Sequence, residues 1–359
     1  MKGMSRNFLW SGPVIIVFLS GILFSRAVNA QPACSQTLVL ARNYSTEGRY
    51  FEIEGLLKDC LTDGFTKQER IDALQLLTLS YLYLDEDTKA DSAYLLLLKT
   101  DPEHKVTAGV DPPDLVYLHR SFRTRPILNW IVSAGIDQQY PRIIHNYTVF
   151  GSSPKSSYKY VTGLDFGLGI ERNVYKNIFI TIESHYQSGL YTLNWSYPDF
   201  GVEGTLPHRL NWVNIPVYAR YQFEMKKLKP YLSAGGVLNW LVGESVKNLN
   251  RTSAFGQPIT QNDVNNNNKF NTLNYSLRVG AGVIYKTTGL ASIALDLTYG
   301  LGLNDVIIEN KRYVTPRDDT YQQSIINFGL IPPAFRADQV VLSLRYIRPI
   351  YHPKKLTSR

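Results

Sequence analysis

From residue 127 onward, apolar and polar side chains alternate with period two over eight separate stretches: 127–138, 158–171, 175–189, 209–224, 229–244, 271–286, 289–301 and 338–350. Such alternation predicts strands with one face on an apolar medium and the other on a polar one. In the fourth stretch Val213, Ile215, Val217, Ala219, Tyr221 and Phe223 share a face, against Asn214, Pro216, Tyr218, Arg220 and Gln222. In the seventh, Ile293, Leu295, Leu297, Tyr299 and Leu301 oppose Ser292, Ala294, Asp296, Thr298 and Gly300. The links after the even stretches are short, near Asn173, Lys226-Lys227 and Thr288-Gly289. Those after the odd ones are long and polar, the third holding Asn265 to Asn268. Alternating short turns and long loops on an even number of strands is the pattern of a bacterial transmembrane β-barrel. Up-and-down order then gathers the outward aromatics into two girdles. Tyr221, Phe223, Tyr285 and Tyr346 fall at the inner end, and Tyr160, Tyr186, Trp240 and Tyr299 at the outer. The alternative, a soluble barrel of lipocalin type, would need that apolar face to be polar.

Before residue 127 the period is helical. Hairpins are predicted over roughly 35–62 and 66–100, with a short helix after Asp111-Pro112-Pro113. In the second hairpin Leu74, Leu77, Tyr81, Ala90, Tyr94 and Pro102 fall on the spacing of a tetratricopeptide unit. A weaker copy holds Leu40, Ala41, Tyr44, Gly48, Tyr50 and Leu57 in phase. Stacked hairpins leave a groove, whose walls would include Tyr44, Tyr81 and Tyr94. The region is either a protein-binding groove or a ligand-free spacer. Cys34 and Cys60, the two cysteines, fall at adjacent ends of the first hairpin. They are predicted to form a disulfide worth roughly 3 kcal/mol on the chain-entropy model, the alternative being two buried thiols.

The first thirty residues read as a cleaved secretion signal. Lys2 and Arg6 precede an apolar core from Val14 to Phe24, and Val28-Asn29-Ala30 closes it. Alternatives are an uncleaved anchor, or a lipoprotein acylated at Cys34. No other apolar run reaches membrane-helix length, so the mature chain enters a membrane only as a closed barrel. The organisation is thus α+β and multidomain: signal 1–30, a periplasmic TPR-like helical domain 31–125, an eight-stranded antiparallel outer-membrane β-barrel 126–351, and a tail 352–359.

Composition agrees. Charged residues are 19% and tyrosines number 24, while mean hydropathy is slightly negative, which excludes a bundle of membrane helices. Three of the formal +8 charges lie in the signal and the remainder are scattered, which argues against nucleic-acid binding. Parity turns Asp165, Glu183, Arg220, Arg278, Asp296 and Arg345 into the lumen. Three acids and three bases in so narrow a barrel predict a neutral salt-bridge network, with Asp296–Arg345 as the leading pair, or else a narrow gated channel. His145, His185 and His208 fall near the outer rim without triad spacing and read as lone surface histidines. No zinc, calcium or phosphate-loop spacing is present, so neither a cofactor nor a metal is expected.

The run Asn211-Trp212-Val213-Asn214-Ile215-Pro216-Val217-Tyr218-Ala219-Arg220-Tyr221, followed by Lys229-Pro230-Tyr231-Leu232-Ser233-Ala234-Gly235-Gly236, resembles the PorT-like outer-membrane β-barrel family of Bacteroidetes-type bacteria. Tyr275 to Tyr285 is similar in character. The resemblance covers about the last two-thirds of the chain and implies a barrel, with Pro216 tolerated mid-strand. Some members serve gliding or type IX secretion; a helical domain departs from the usual form. The reading is therefore a non-enzymatic outer-membrane scaffold whose periplasmic helices bind a protein partner in secretion, gliding or envelope machinery. A small gated channel, and a surface lipid-modifying or proteolytic enzyme, are the alternatives.

Overall fold

The computed structural model describes residues 31–148, 151, 154–225, 227–246, 249–253, 256–261, 269–312 and 331–356. The signal expected over 1–30 and the loop residues Asn265 to Asn268 lie outside them. The chain divides into two compact units, 31–101 with 106–118, and 102–105 with 119 onward.

The first unit holds α1 (Gln31–Thr46), α2 (Tyr50–Thr62), α3 (Lys67–Tyr83), α4 (Asp87–Thr100) and most of α5 (Pro113–Ser121). α1 packs on α2, α2 on α3 and α3 on α4. Gly48 makes the first turn at φ +78°, a conformation that favours glycine. Thr66 caps α3: its hydroxyl accepts from the Glu69 amide, and the Glu69 carboxylate accepts from the Thr66 amide at 2.9 Å. The Ser35 hydroxyl donates to the same carboxylate. These bonds hold Glu69 below its ordinary pKa, the Ser35 bond first among them. The core is Leu38, Ala41, Ile53, Leu57, Leu74, Tyr94, Leu97, Leu98 and Leu115. The disulfide joins Cys34 to Cys60 with Cα atoms 5.6 Å apart. Just before α5, the Asp111 carboxylate accepts from the Thr107 amide at 2.7 Å.

Among its described residues the second unit holds ten strands: β1 (Leu128–His145), β2 (Lys155–Tyr175), β3 (Ile178–Tyr197), β4 (Val202–Gln222), β5 (Leu228–Val246), β6 (Leu249–Ser253), β7 (Gly256–Gln261), β8 (Leu273–Lys286), β9 (Ser292–Gly302) and β10 (Ala334–Ile350). Eight of them close an antiparallel ring, β1-β2-β3-β4-β5-β8-β9-β10 and back to β1. The hairpin β6–β7 extends one wall by pairing with the start of β4. After the ring, Leu356 donates its amide to the Ser121 carbonyl at 2.7 Å.

The long polar connection expected after the third strand is not a loop. Both flanking strands run on, and only Pro198–Phe200 and Gly201 turn the chain. The reason lies in the side chains. On β3 the outward face reads Ile178, Ile180, Ile182, Ser184 and Tyr186, then Thr192, Asn194 and Ser196. The inward face reads Thr181, Glu183, His185 and Gln187, then Tyr191, Leu193, Trp195 and Tyr197, all buried. β4 inverts at the same height, from Asn214, Tyr218 and Arg220 inside to Leu206, Leu210 and Trp212 inside. Parity is unbroken; the medium outside changes. Below the inversion the exterior meets hydrocarbon, and above it water.

Candidate functional site

The barrel interior is built in layers by alternate residues of every strand. At the short-turn end Arg220 sends Nε and Nη2 to the Glu171 carboxylate at 2.7 and 2.8 Å. Its guanidinium lies over the Phe179 ring at 4.3 Å and the Tyr231 ring at 5.0 Å. One layer on, Arg345 reaches the Glu183 carboxylate and the Tyr218 hydroxyl, at 2.6 Å for the latter, and Asp296 at 3.3 Å. Arg278 bridges the same two acids, at 3.1 Å to Asp296 and 3.6 Å to Glu183. The Tyr231 hydroxyl donates to Asp296 at 2.9 Å. Next, His185 lies between Asp165 (Nδ1, 2.9 Å) and Glu183 (Nε2, 2.8 Å). Gln187 donates to Asp165 at 2.7 Å, and Asn214 donates to Gln187.

All six charges expected in the lumen are buried there. Five of them, Asp165, Glu183, Arg278, Asp296 and Arg345, join one network through His185. Arg220 stands apart with Glu171. The count of three acids and three bases is corrected, since Glu171 and Asp137 are also buried inside and His185 bridges two acids. Parity would have found all three, because 137, 171 and 185 are odd positions on strands whose odd residues face inward. His185 and His208 are likewise not surface residues. His208 is buried, stacked on Tyr191 at 5.3 Å, while His145 is exposed. A carboxylate thus lies on each ring nitrogen of His185.

Above the charged layers comes an apolar layer of Tyr191, Leu210, Trp212, Phe270, Val306, Ile307 and Phe335. The voids on either side of the amide layer are about 20 Å³ each, room for about one water. At the long-loop end a cavity of about 780 Å³ opens, lined among others by Trp195, Asn194, Glu203, Thr205 and Asn250.

In the helical unit the expected groove walls are mostly core. Tyr94 is 0% exposed and Tyr81 is buried, its hydroxyl pushed up to about 12 by that burial. Their spacing placed them on the stripe that stacked hairpins bury, so they hold the stack together instead of lining a groove. Tyr44 is half-buried beneath the Arg49 guanidinium, 3.8 Å from its ring. The exposed apolar residues include Val110 at 82%, Tyr117 at 80% and Phe51 at 71%, the last with Tyr83 and Leu84. Tyr50, next to Phe51, stacks on Tyr83 at 4.8 Å.

Among the described residues, no group of acids, histidines and cysteines is arranged to hold a metal ion, and no helix is long and apolar enough to cross a membrane. The ring's exterior, by contrast, exposes Val217, Leu232, Leu277, Leu295, Leu297 and Leu344, with all eight girdle aromatics at its two ends.

Comparison with known proteins bears on this unit. No curated protein matches the chain. Among solved structures, the chain is similar to the outer membrane protein OprG from Pseudomonas aeruginosa at 10% identity, over 64% of this chain and 98% of that one, with a TM-score of 0.37. It is similar to Neisserial surface protein A at 13% identity, over 62% and 97%, with a TM-score of 0.32. It is also similar to the outer membrane protease OmpT from Escherichia coli at 7% identity, over 62% and 96%, with a TM-score of 0.31. None of these likenesses bears on activity. Residues 134–307 match the family model described as outer membrane protein beta-barrel domain; the ring itself runs on through β10 to Ile350. With that match, the closed ring, the charged interior and the apolar exterior, the C-terminal unit is an outer-membrane β-barrel.

Proposed function

We propose that the protein is a plugged outer-membrane anchor whose helical unit, in the periplasm, docks a protein partner. The observation that carries this reading is the packed lumen. Successive ion-paired, amide and apolar layers fill the ring, with voids of about one water between them. A barrel filled in this way holds position and does not conduct, so recognition falls to the parts outside the bilayer. Of these, the helical unit offers the patch of Phe51, Tyr83 and Leu84, whose exposed apolar surface suits a protein partner. The reading of residues 1–30 as a secretion signal and the short turns at the N-terminal end of β1 favour a periplasmic unit. The PorT-like resemblance favours secretion, gliding or envelope machinery as the setting. The engagement of both His185 nitrogens supports a non-catalytic barrel.

The test is co-purification from native membranes. The wild type is expected to bring down a partner that F51E/Y83E loses, with the barrel still inserted. If the double variant and a form lacking 31–125 keep every partner, the loops bind instead. Planar-bilayer recording separates the channel alternative, for steady conductance would show an open lumen.

A further inference from the structure

Where β10 meets β1 near the long-loop end, the barrel exterior carries opposed charges. Outward parity there presents Tyr140 and Arg142 of β1 beside Asp338 and Arg336 of β10. The register sets Arg142 directly opposite Arg336, and Tyr140 opposite Asp338. Two like charges across a strand pair are destabilising unless something neutralises them. Among the described residues one acid is at hand, and it is already engaged. Asp338 is buried and accepts from Arg142 Nε at 2.8 Å, the Gly302 amide at 2.9 Å and the Tyr299 hydroxyl at 3.2 Å. Even so, the Arg142 side chain stays 46% exposed. Arg336 is half-buried, and among the described residues its Nε has no hydrogen-bond partner. At the other end of β10, by contrast, Arg348 faces Trp130 and no second cation.

Depth specifies what comes to this pair. From Trp130 to Tyr140 the outward face of β1 spans ten residues, about 33 Å along the strand at ~3.3 Å per residue. At a tilt of about 40° that is about 25 Å along the barrel axis, the height of the apolar band. Tyr140 packs on Tyr160 with ring centroids 4.7 Å apart, and so belongs to the girdle at this end. Arg142 lies two residues further, about 5 Å beyond it, at the level of lipid head groups. Below lies exposed apolar surface, including Leu342 and Leu297, to take acyl chains.

We propose that Arg142 and Arg336 form a binding site for the phosphate head group of a lipid in the leaflet at the long-loop end. Paired guanidiniums present planar donor forks that match phosphate oxygens. A phosphate would neutralise the opposed cations and leave the Asp338 bonds intact.

The test uses the full-length protein in phosphatidylcholine nanodiscs carrying a minor fraction of either phosphatidic acid or diacylglycerol. Lipid retained after a detergent wash is measured by mass spectrometry. The wild type is expected to retain phosphatidic acid about tenfold over diacylglycerol, a difference of about 1.4 kcal/mol. Excess inorganic phosphate should not displace it, because the acyl chains contribute. R336Q and R142Q should each abolish the preference and R348Q should keep it. R336Q decides alone should R142Q fail to fold, because Asp338 keeps its partners in R336Q; heat-modifiable migration on gels reports folding. Equal retention of the two lipids, displacement by free phosphate, an unchanged R336Q or an equal loss in R348Q would each overturn the proposal.

Discussion

An arginine placed on the outer face should cost stability according to its depth, and β4 carries the series that measures it. Trp240 and Tyr186 both lie in register with Val213, and mark one girdle. Tyr221, in the same outward row, marks the other. Val217 is four residues from each end, about 13 Å along the strand and about 10 Å along a barrel axis tilted by ~40°. It is 48% exposed, with no protein side chain to shelter a charge. Arginine at such a midplane position costs about 2–4 kcal/mol, falling to about 0–1 kcal/mol near the interface. V217R should therefore lose about 3 kcal/mol, V213R less than about 1 kcal/mol, and L295R, at the corresponding height of β9, as much as V217R. Equilibrium unfolding by guanidinium in lipid vesicles, with heat-modifiable migration as a second readout, gives the three values. Equal losses at 213 and 217, or no loss at 217, would refute the assignment of this face to hydrocarbon. The inward neighbour supplies the contrast: Y218F keeps the ring and removes the hydroxyl that Arg345 contacts, and its cost should not vary with lipid thickness.

Inside the barrel, R345L should destabilise by about 3 kcal/mol, the low end of the range for breaking a buried pair, because Arg278 still serves both Glu183 and Asp296. R278L/R345L should exceed the sum of the single losses, as double-mutant unfolding would show. Reducing the Cys34–Cys60 bond, or C34S/C60S, should lower the stability of the helical unit by about 3 kcal/mol for a separation of 26 residues. Circular dichroism melts with and without reductant measure that loss. Glu69 is held below its ordinary value of 4.5, so its contribution is present above that pH and fades as pH falls through the lower folded value. Melts of the helical unit should weaken below about pH 4.5 in the wild type, and E69Q should flatten that part of the curve.

Much of this protein is legible in the chain because period two is local. A residue's parity assigns its face whatever strand lies beside it, which is why Arg345, Glu183 and Asp296 could be turned inward one at a time. The same rule applied throughout would have placed His185, Glu171 and Asp137 with them. The two cysteines needed only the antiparallel hairpin they sit on. What strand order cannot supply is contact across the lumen. Glu183 on β3 and Arg345 on β10 have β1 and β2 between them around the ring and 162 residues between them in sequence. They meet because an eight-strand ring is narrow enough for side chains from opposite walls to touch. Nor does alternation alone say where the water begins. Tyr191 and Trp195 continue the row of Glu183 and His185, and only their burial shows that the medium outside has changed. The tyrosine stripe of the helices carries the same lesson: helical spacing groups Tyr81 and Tyr94 on one face, but neighbouring helices decide that the face is closed. Sequence sets which side chains point together, because that follows from backbone geometry; tertiary structure decides what they meet, because that depends on which distant segments close the ring.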